Sequence, residues 1–216
     1  MPLTTIQYIT VAIIPVLFAI TLHEVMHGVV ANYCGDSSAK MLGRLTLNPL
    51  KHIDLVGTIL VPAILLALGG FIFGWAKPVP VNPRNLKNPR YGMMWVAAAG
   101  PCANGVMAIV WAAVLKLSVL FLANQAFIFV FIKAMATIGI QINLILMVLN
   151  LIPIPPLDGS KVLMGLLPGP VAYKFSLLEP YGFFLVLALV YFGILGAILA
   201  PILNLLFQAI SALFGL

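Results

Sequence analysis

In the run Ile20-Thr21-Leu22-His23-Glu24-Val25-Met26-His27-Gly28, three ionisable side chains stand inside a stretch, from about Ile6 to Tyr33, that is otherwise almost wholly apolar. A charged or strongly polar group at membrane depth costs at least a few kcal/mol and is tolerated where it faces a protein interior, a partner or an ion. On a helix rising about 1.5 Å per residue, His23 and His27 lie one turn apart on one face and can direct two ring nitrogens at one point. Glu24 lies about 100° round from His23, within reach of a water on a metal held there without ligating it. The pattern is two ligands and a base, the parts needed for metal-assisted hydrolysis. The bland alternative, two packing histidines hydrogen-bonded to carbonyls, suits a soluble helix better than one bounded by hydrocarbon.

The elements that must position these groups are membrane helices. The chain has 216 residues, of which 63% are hydrophobic and 7% charged, and its mean hydropathy is +1.16. These values lie far outside the range of a soluble globular domain and indicate an integral, multi-pass membrane protein. The first apolar run lacks a basic n-region, contains the ionisable motif and is longer than a signal sequence's apolar region, so it is expected to remain in the mature chain. A net charge of +6 does not imply nucleic acid, because the eleven basic residues are scattered through loops with no aromatic-interleaved basic face. Lys40, Arg44, Lys51, Lys77, Arg84, Lys87, Arg90, Lys161 and Lys174 fall on one side of the expected topology, and only Lys116 and Lys133 on the other. The basic-rich side is expected to be cytoplasmic. Cys34 and Cys102 imply no disulfide framework.

The expected fold is all-α and polytopic: about four full transmembrane helices, a re-entrant helix/strand unit over 53–81, and a short β-hairpin near the cytoplasmic side. Full spans are expected at about 5–33, 91–122, 127–151 and 180–200, and Pro201 should separate the last from an apolar tail over 202–216. His23 lies past the midpoint of the first span, so the site should open towards the loop from Lys40 to Lys51, on the cytoplasmic side. The hairpin expectation comes from Gly43-Arg44-Leu45-Thr46-Leu47-Asn48-Pro49, where polar and leucine residues alternate up to a turn signal. His52 and Asp54 are read as an interfacial cap and snorkelling pair rather than as further ligands.

A full span over 53–75 would divide the basic residues evenly between the two sides, against the positive-inside rule. A re-entrant helix from Leu55 to about Leu68, with an extended return through Phe71 to Val81, avoids that. Backbone without helical bonding at membrane depth must be lined by protein or a water-filled cavity, so the return should border the site. Pro78 and Pro80 remove donors from one edge of the return, while Val79 and Val81 keep theirs on the other. In a protease that edge would accept an unwound substrate through Trp75, Lys77, Val79 and Val81. The other reading is a rigid proline-rich connector.

The second span carries Ala98-Ala99-Gly100-Pro101-Cys102-Ala103-Asn104-Gly105, whose small residues permit close helix approach; Asn104 is interhelical glue or site scaffolding. The third ends in Asn150-Leu151-Ile152-Pro153-Ile154-Pro155-Pro156-Leu157-Asp158-Gly159. Its prolines cannot continue a helix, and Asp158-Gly159 then opens a short one over 158–167. Asp36, Asp54 and Glu179 fall at loop-like positions, which leaves Asp158 as the strongest remaining ligand candidate; the alternative is a plain N-cap.

The histidine motif, the Gly100-Pro101-Cys102-Ala103-Asn104 run and the Asn150 to Gly159 run, in this order, resemble the site-2 protease family of intramembrane zinc metalloproteases. The stretch Phe73-Gly74-Trp75-Ala76-Lys77-Pro78-Val79-Pro80-Val81-Asn82 is similar to a compact prokaryotic branch without PDZ or CBS domains. The resemblance implies a single intramembrane metalloprotease domain over 1–216. It also implies one zinc held by His23, His27 and Asp158 with a water as fourth ligand, Glu24 as general base, and Asn150 near the catalytic centre against substrate backbone or a developing oxyanion. The implied partners are a transmembrane protein substrate and the lipid bilayer, in a prokaryotic cell membrane. The competing class is a transporter or other metal-binding membrane protein, since broken helices and intramembrane ionisable groups also mark transport sites.

Overall fold

The computed structural model describes residues 3–61, 64, 76–122 and 126–216. Thr4 opens the first helix: its hydroxyl accepts from Gln7 N–H at 3.3 Å, and the Gln7 side chain accepts from Thr4 N–H at 2.9 Å. This reciprocal cap starts α1 (Thr5–Tyr33), which at about 1.5 Å per residue outruns the roughly 30 Å hydrocarbon layer. α1 ends where Gly35 takes a φ of +115°, a conformation that side chains rarely adopt, and the short α2 (Ser38–Met41) follows.

α3 (Pro89–Leu122) and α4 (Ala126–Leu151) pack on each other and on α1, so that three long helices form the body of the molecule. Lipid offers apolar side chains no drive to associate, so close backbone approach and interhelical hydrogen bonds must hold such helices together. Ala108 and Ala112 of α3 and Ala136 of α4 are fully buried and let Ile140 and Leu144 settle between the helices.

α5 (Asp158–Leu166) packs against α3 and α4 and is held at both ends. At its start, a Cβ on Gly159 would collide with the Leu151 carbonyl, so the dipeptide Asp158-Gly159 sets how closely this turn approaches α4. At its end, Arg90 donates through Nε to the Gly165 carbonyl at 3.0 Å and through Nη2 to the Leu167 carbonyl, placing a cation where the helix dipole is negative.

α6 (Gly169–Ser176) and α7 (Glu179–Tyr191) meet at a 64° bend, and α8 (Ile194–Phe214) closes the chain. Among the described residues, four helices are long and apolar enough to cross a membrane: α1, α3, the stretch Phe127–Leu151 of α4, and α8.

Two sequence expectations are corrected here. Among the described residues no strand forms, and 44–48 run without a ladder partner into the turn Pro49–Lys51, capped by the Asn48 side chain on Leu50 N–H at 3.0 Å. The alternating pattern there marks an irregular loop, not a hairpin. Nor is 180–200 one helix: it breaks at Phe192–Gly193, where Gly193 takes a φ of +71°, and Pro201 lies inside α8 rather than beyond a span. Both flanks of the break are apolar, so composition carries no mark of it, and membrane helices accommodate an internal proline. Of the re-entrant unit, the described parts are a single wide turn at Leu55–Leu60, helical residues at Val61 and Ile64, and a strap over 76–82 without helical bonding. The Gly69-Gly70 break and the return through Phe71 to Trp75 lie outside the described residues.

Candidate metal centre

α1 presents His23 and His27 on one face, with ring centroids 4.7 Å apart and planes nearly perpendicular. α5 brings Asp158 to them from 135 residues away, and its Oδ2 lies 3.2 Å from Nε2 of each imidazole. Asp158 sits in the first turn of α5 without capping it, so its carboxylate faces the histidines instead of its own helix. Among the described residues this is the one group of three or more potential metal donors, with donor atoms within 4.8 Å of one another. All three side chains are nearly buried.

The opposite nitrogen of each ring is also committed. His27 Nδ1 lies 2.7 Å from the Val96 carbonyl of α3, which can only accept, so this nitrogen carries the hydrogen. His23 Nδ1 lies 2.6 Å from Asn104 Oδ1. The Asn104 amide is oriented by its Nδ2, which donates to the Ala19 carbonyl at 3.1 Å and to Asn143 Oδ1 at 2.9 Å. Neutral imidazoles held this way turn two bare Nε2 lone pairs towards a carboxylate oxygen: three acceptors meet with no hydrogen among them. A cation relieves that arrangement, and two imidazole nitrogens with one carboxylate oxygen form a donor set suited to zinc with one position left open.

Close packing of α3 completes the enclosure. A Cβ on Gly100 would lie 2.5 Å from His27 Nε2 and 2.7 Å from His23 Cε1, so only glycine lets α3 pass over the imidazoles. Glu24 points to the strap, where its Oε2 accepts from Val79 N–H at 2.9 Å. That amide is therefore committed, and is not the open donor that the proline spacing suggests. The strap is held elsewhere by Lys77 N–H on the His52 carbonyl at 2.8 Å, by Arg44 on the Lys77 carbonyl at 2.9 Å and by Asn82 N–H on Asp36 at 2.6 Å.

Residues 11–137 match Peptidase family M50. The chain belongs to this family. It is 38% identical over 215 residues to "Putative zinc metalloprotease YwhC" of Bacillus subtilis, an alignment covering 99% of this chain and 94% of the relative. Over 189 residues it is 30% identical to "Putative zinc metalloprotease Rip2" of Mycolicibacterium smegmatis, covering 87% of this chain and 69% of that one. No solved structure matches. Family and apolar helices together make this M50 chain a membrane metalloprotease.

The remaining residues singled out from the sequence are dispersed. Asn150 Nδ2 donates to the Leu146 carbonyl one turn back in α4, at 3.0 Å. Val79 is buried, Val81 packs with Ala31, Leu86 and Val96, Lys77 is exposed, and Trp75 lies outside the described residues. His52 is buried with Nε2 on the Thr46 carbonyl at 3.0 Å, while Asp54 caps the turn at Val56 and Gly57, so neither joins the donor cluster. Asn143 was not anticipated; its signal was an amide side chain in mid-helix among apolar residues.

Proposed function

We propose that this M50 chain is a zinc-dependent intramembrane endopeptidase that cuts peptide bonds within or near transmembrane segments of membrane-protein substrates, as in regulated intramembrane proteolysis. One observation carries the reading: two imidazole Nε2 atoms and one carboxylate oxygen converge within 4.8 Å between helices long enough to cross a bilayer. In this reading His23, His27 and Asp158 hold one zinc, which when bound supplies the Lewis acidity that acidifies a water and polarises the scissile carbonyl.

Glu24 is the general base. The Val79 amide fixes its Oε2, and its carboxylate takes the water's proton and delivers it to the departing amine nitrogen, so each proton is accounted for. Asn150 would exchange the Leu146 carbonyl for substrate backbone or the developing oxyanion. A peptide bond inside a membrane helix is shielded by its own turn, so the substrate must unwind before attack. The strap around the exposed Lys77 is the surface against which it would lie extended. The concentration of basic residues in the loops that flank α2, the strap and α5 favours a site open to the cytoplasm, in a prokaryotic cell membrane.

Glu24→Gln tests this directly. The variant should keep zinc, lose cleavage of a transmembrane substrate and retain the uncut client for identification. A variant that still cleaves at the wild-type rate would remove Glu24 from the mechanism.

A further inference from the structure

A line of amide groups runs from the metal centre into the middle of the bundle with one polarity throughout. It begins at the Gly139 carbonyl of α4, which accepts from Asn143 Nδ2 at 2.8 Å. Asn143 Oδ1 is thereby turned away and accepts from Asn104 Nδ2 at 2.9 Å. The second hydrogen on that nitrogen goes to the Ala19 carbonyl of α1 at 3.1 Å, which leaves Asn104 Oδ1 to accept from His23 Nδ1. Asn104 and Asn143 are both 0% exposed, so water cannot substitute for any of these partners. Backbone carbonyls cannot reverse their polarity. Two of them therefore decide which way both side-chain amides face, and the second amide decides which imidazole nitrogen bears hydrogen.

We propose that Asn143 is a positioning residue for the metal centre: acting through Asn104, it keeps the hydrogen of His23 on Nδ1 and so keeps Nε2 available as a ligand. The proposal rests on the metalloprotease reading and deepens it, because it assigns a role to a residue outside the donor set. Without Asn143, one hydrogen of the buried Asn104 amide loses its acceptor, and only the Ala19 carbonyl still resists rotation of that amide. Rotated, Asn104 would present N–H to the imidazole, and the favoured hydrogen position on His23 would move to Nε2, where a metal must bind. Groups that orient a metal ligand directly are worth about 10- to 100-fold in metal affinity, and a residue one step further out should sit near the lower end.

The experiment is zinc affinity of the full chain in detergent, by competition with a chelator, for the wild type, Asn143→Leu and Asn143→Asp. Leucine keeps the branching of asparagine at Cγ but is larger, and the metal-free Tm reports any strain from its extra volume, so a role confined to packing shows as a lowered Tm and not in zinc affinity alone. The expected result is zinc binding about tenfold weaker in Asn143→Leu with the metal-free Tm held. Asn143→Asp should recover wild-type affinity, because a neutral carboxylic acid offers the same acceptor to Asn104 and the same donor to Gly139. If Asn143→Leu does not yield folded protein, Asn143→Ala takes its place with the same expected direction. Equal zinc affinity in the wild type and the apolar variant, or equal loss in the apolar and Asp variants, overturns the proposal. A wild-type chain that takes up no zinc defeats the metalloprotease reading itself, a result distinct from either of these.

Discussion

α3 and α4 are joined in two ways along one interface. Towards the metal centre the contact is polar: Asn104 and Asn143 are fully buried, both hydrogens of Asn104 Nδ2 are donated, and Asn143 Nδ2 donates to the Gly139 carbonyl. One and two turns along the same face of α3, Ala108 and Ala112 replace Asn104; on α4, Ile140 and Ala136 replace Asn143. The apolar seam sets the distance between the helices, since small side chains let the backbones approach. The polar knot adds direction, because an amide has a donor end and an acceptor end and a wrong orientation leaves buried groups unpaired. Stability and ligand geometry are thus assigned to neighbouring stretches of the same two helices. Substitutions should separate them.

The largest effect falls beside the knot. Glu24→Gln should lower cleavage of a transmembrane substrate by about 10²- to 10⁴-fold, the usual worth of a general base, while zinc content stays at the wild-type level. Next is the knot itself: Asn104→Leu should weaken zinc binding about 10- to 100-fold in a chelator competition. Gly100→Ala should act in the same direction, because the added methyl would lie 2.5 Å from His27 Nε2. The seam should respond differently. Ile140→Val should lower unfolding stability by about 0.5–1.5 kcal/mol in a denaturant titration and leave zinc affinity unchanged. A seam variant that weakened zinc binding as much as Asn104→Leu would erase the distinction.

A second polar knot, outside the spans, gives the smallest effect. Asp36 accepts from Ser38 N–H at 3.1 Å, Ser38 hydroxyl at 2.5 Å, Asn82 N–H at 2.6 Å and Asn85 Nδ2 at 2.9 Å. Burial acts to raise its pKa, but these donors outweigh burial and hold it at about 2, below the ordinary 3.8. A lowered folded-state pKa contributes stability that is present above the unfolded value and lost as pH falls through the folded one. Protease sensitivity of the strap should therefore rise between about pH 4 and pH 2 in the wild type. In Asp36→Asn the sensitivity should be higher at neutral pH and show less of that acid step.

The parts of the site legible in the sequence were those where chemistry clashed with surroundings. His23, Glu24 and His27 stand out because hydrocarbon neighbours exclude a bland role for them, and Asp158 because acids are scarce and prolines uncouple it from the preceding helix. The long helices were legible from apolar length alone. Asn143 was overlooked because a single amide in a membrane helix has many uses, and its role depends on which carbonyl of which helix it meets. The break at Phe192–Gly193 was hidden by uniform apolarity, and Pro201 misled because a membrane helix accommodates the proline that would end a soluble one. Among the described residues the alternation over 43–49 has no partner strand, and period alone does not supply one.

Zinc-edge X-ray absorption on the zinc-loaded Glu24→Gln chain addresses the ligand set most directly. The account predicts a shell of nitrogen and oxygen donors at about 2.0–2.2 Å with two imidazoles, losing one imidazole in His27→Ala and changing in Asp158→Ala. A sulfur at about 2.3 Å, or a shell untouched by loss of Asp158, would contradict it.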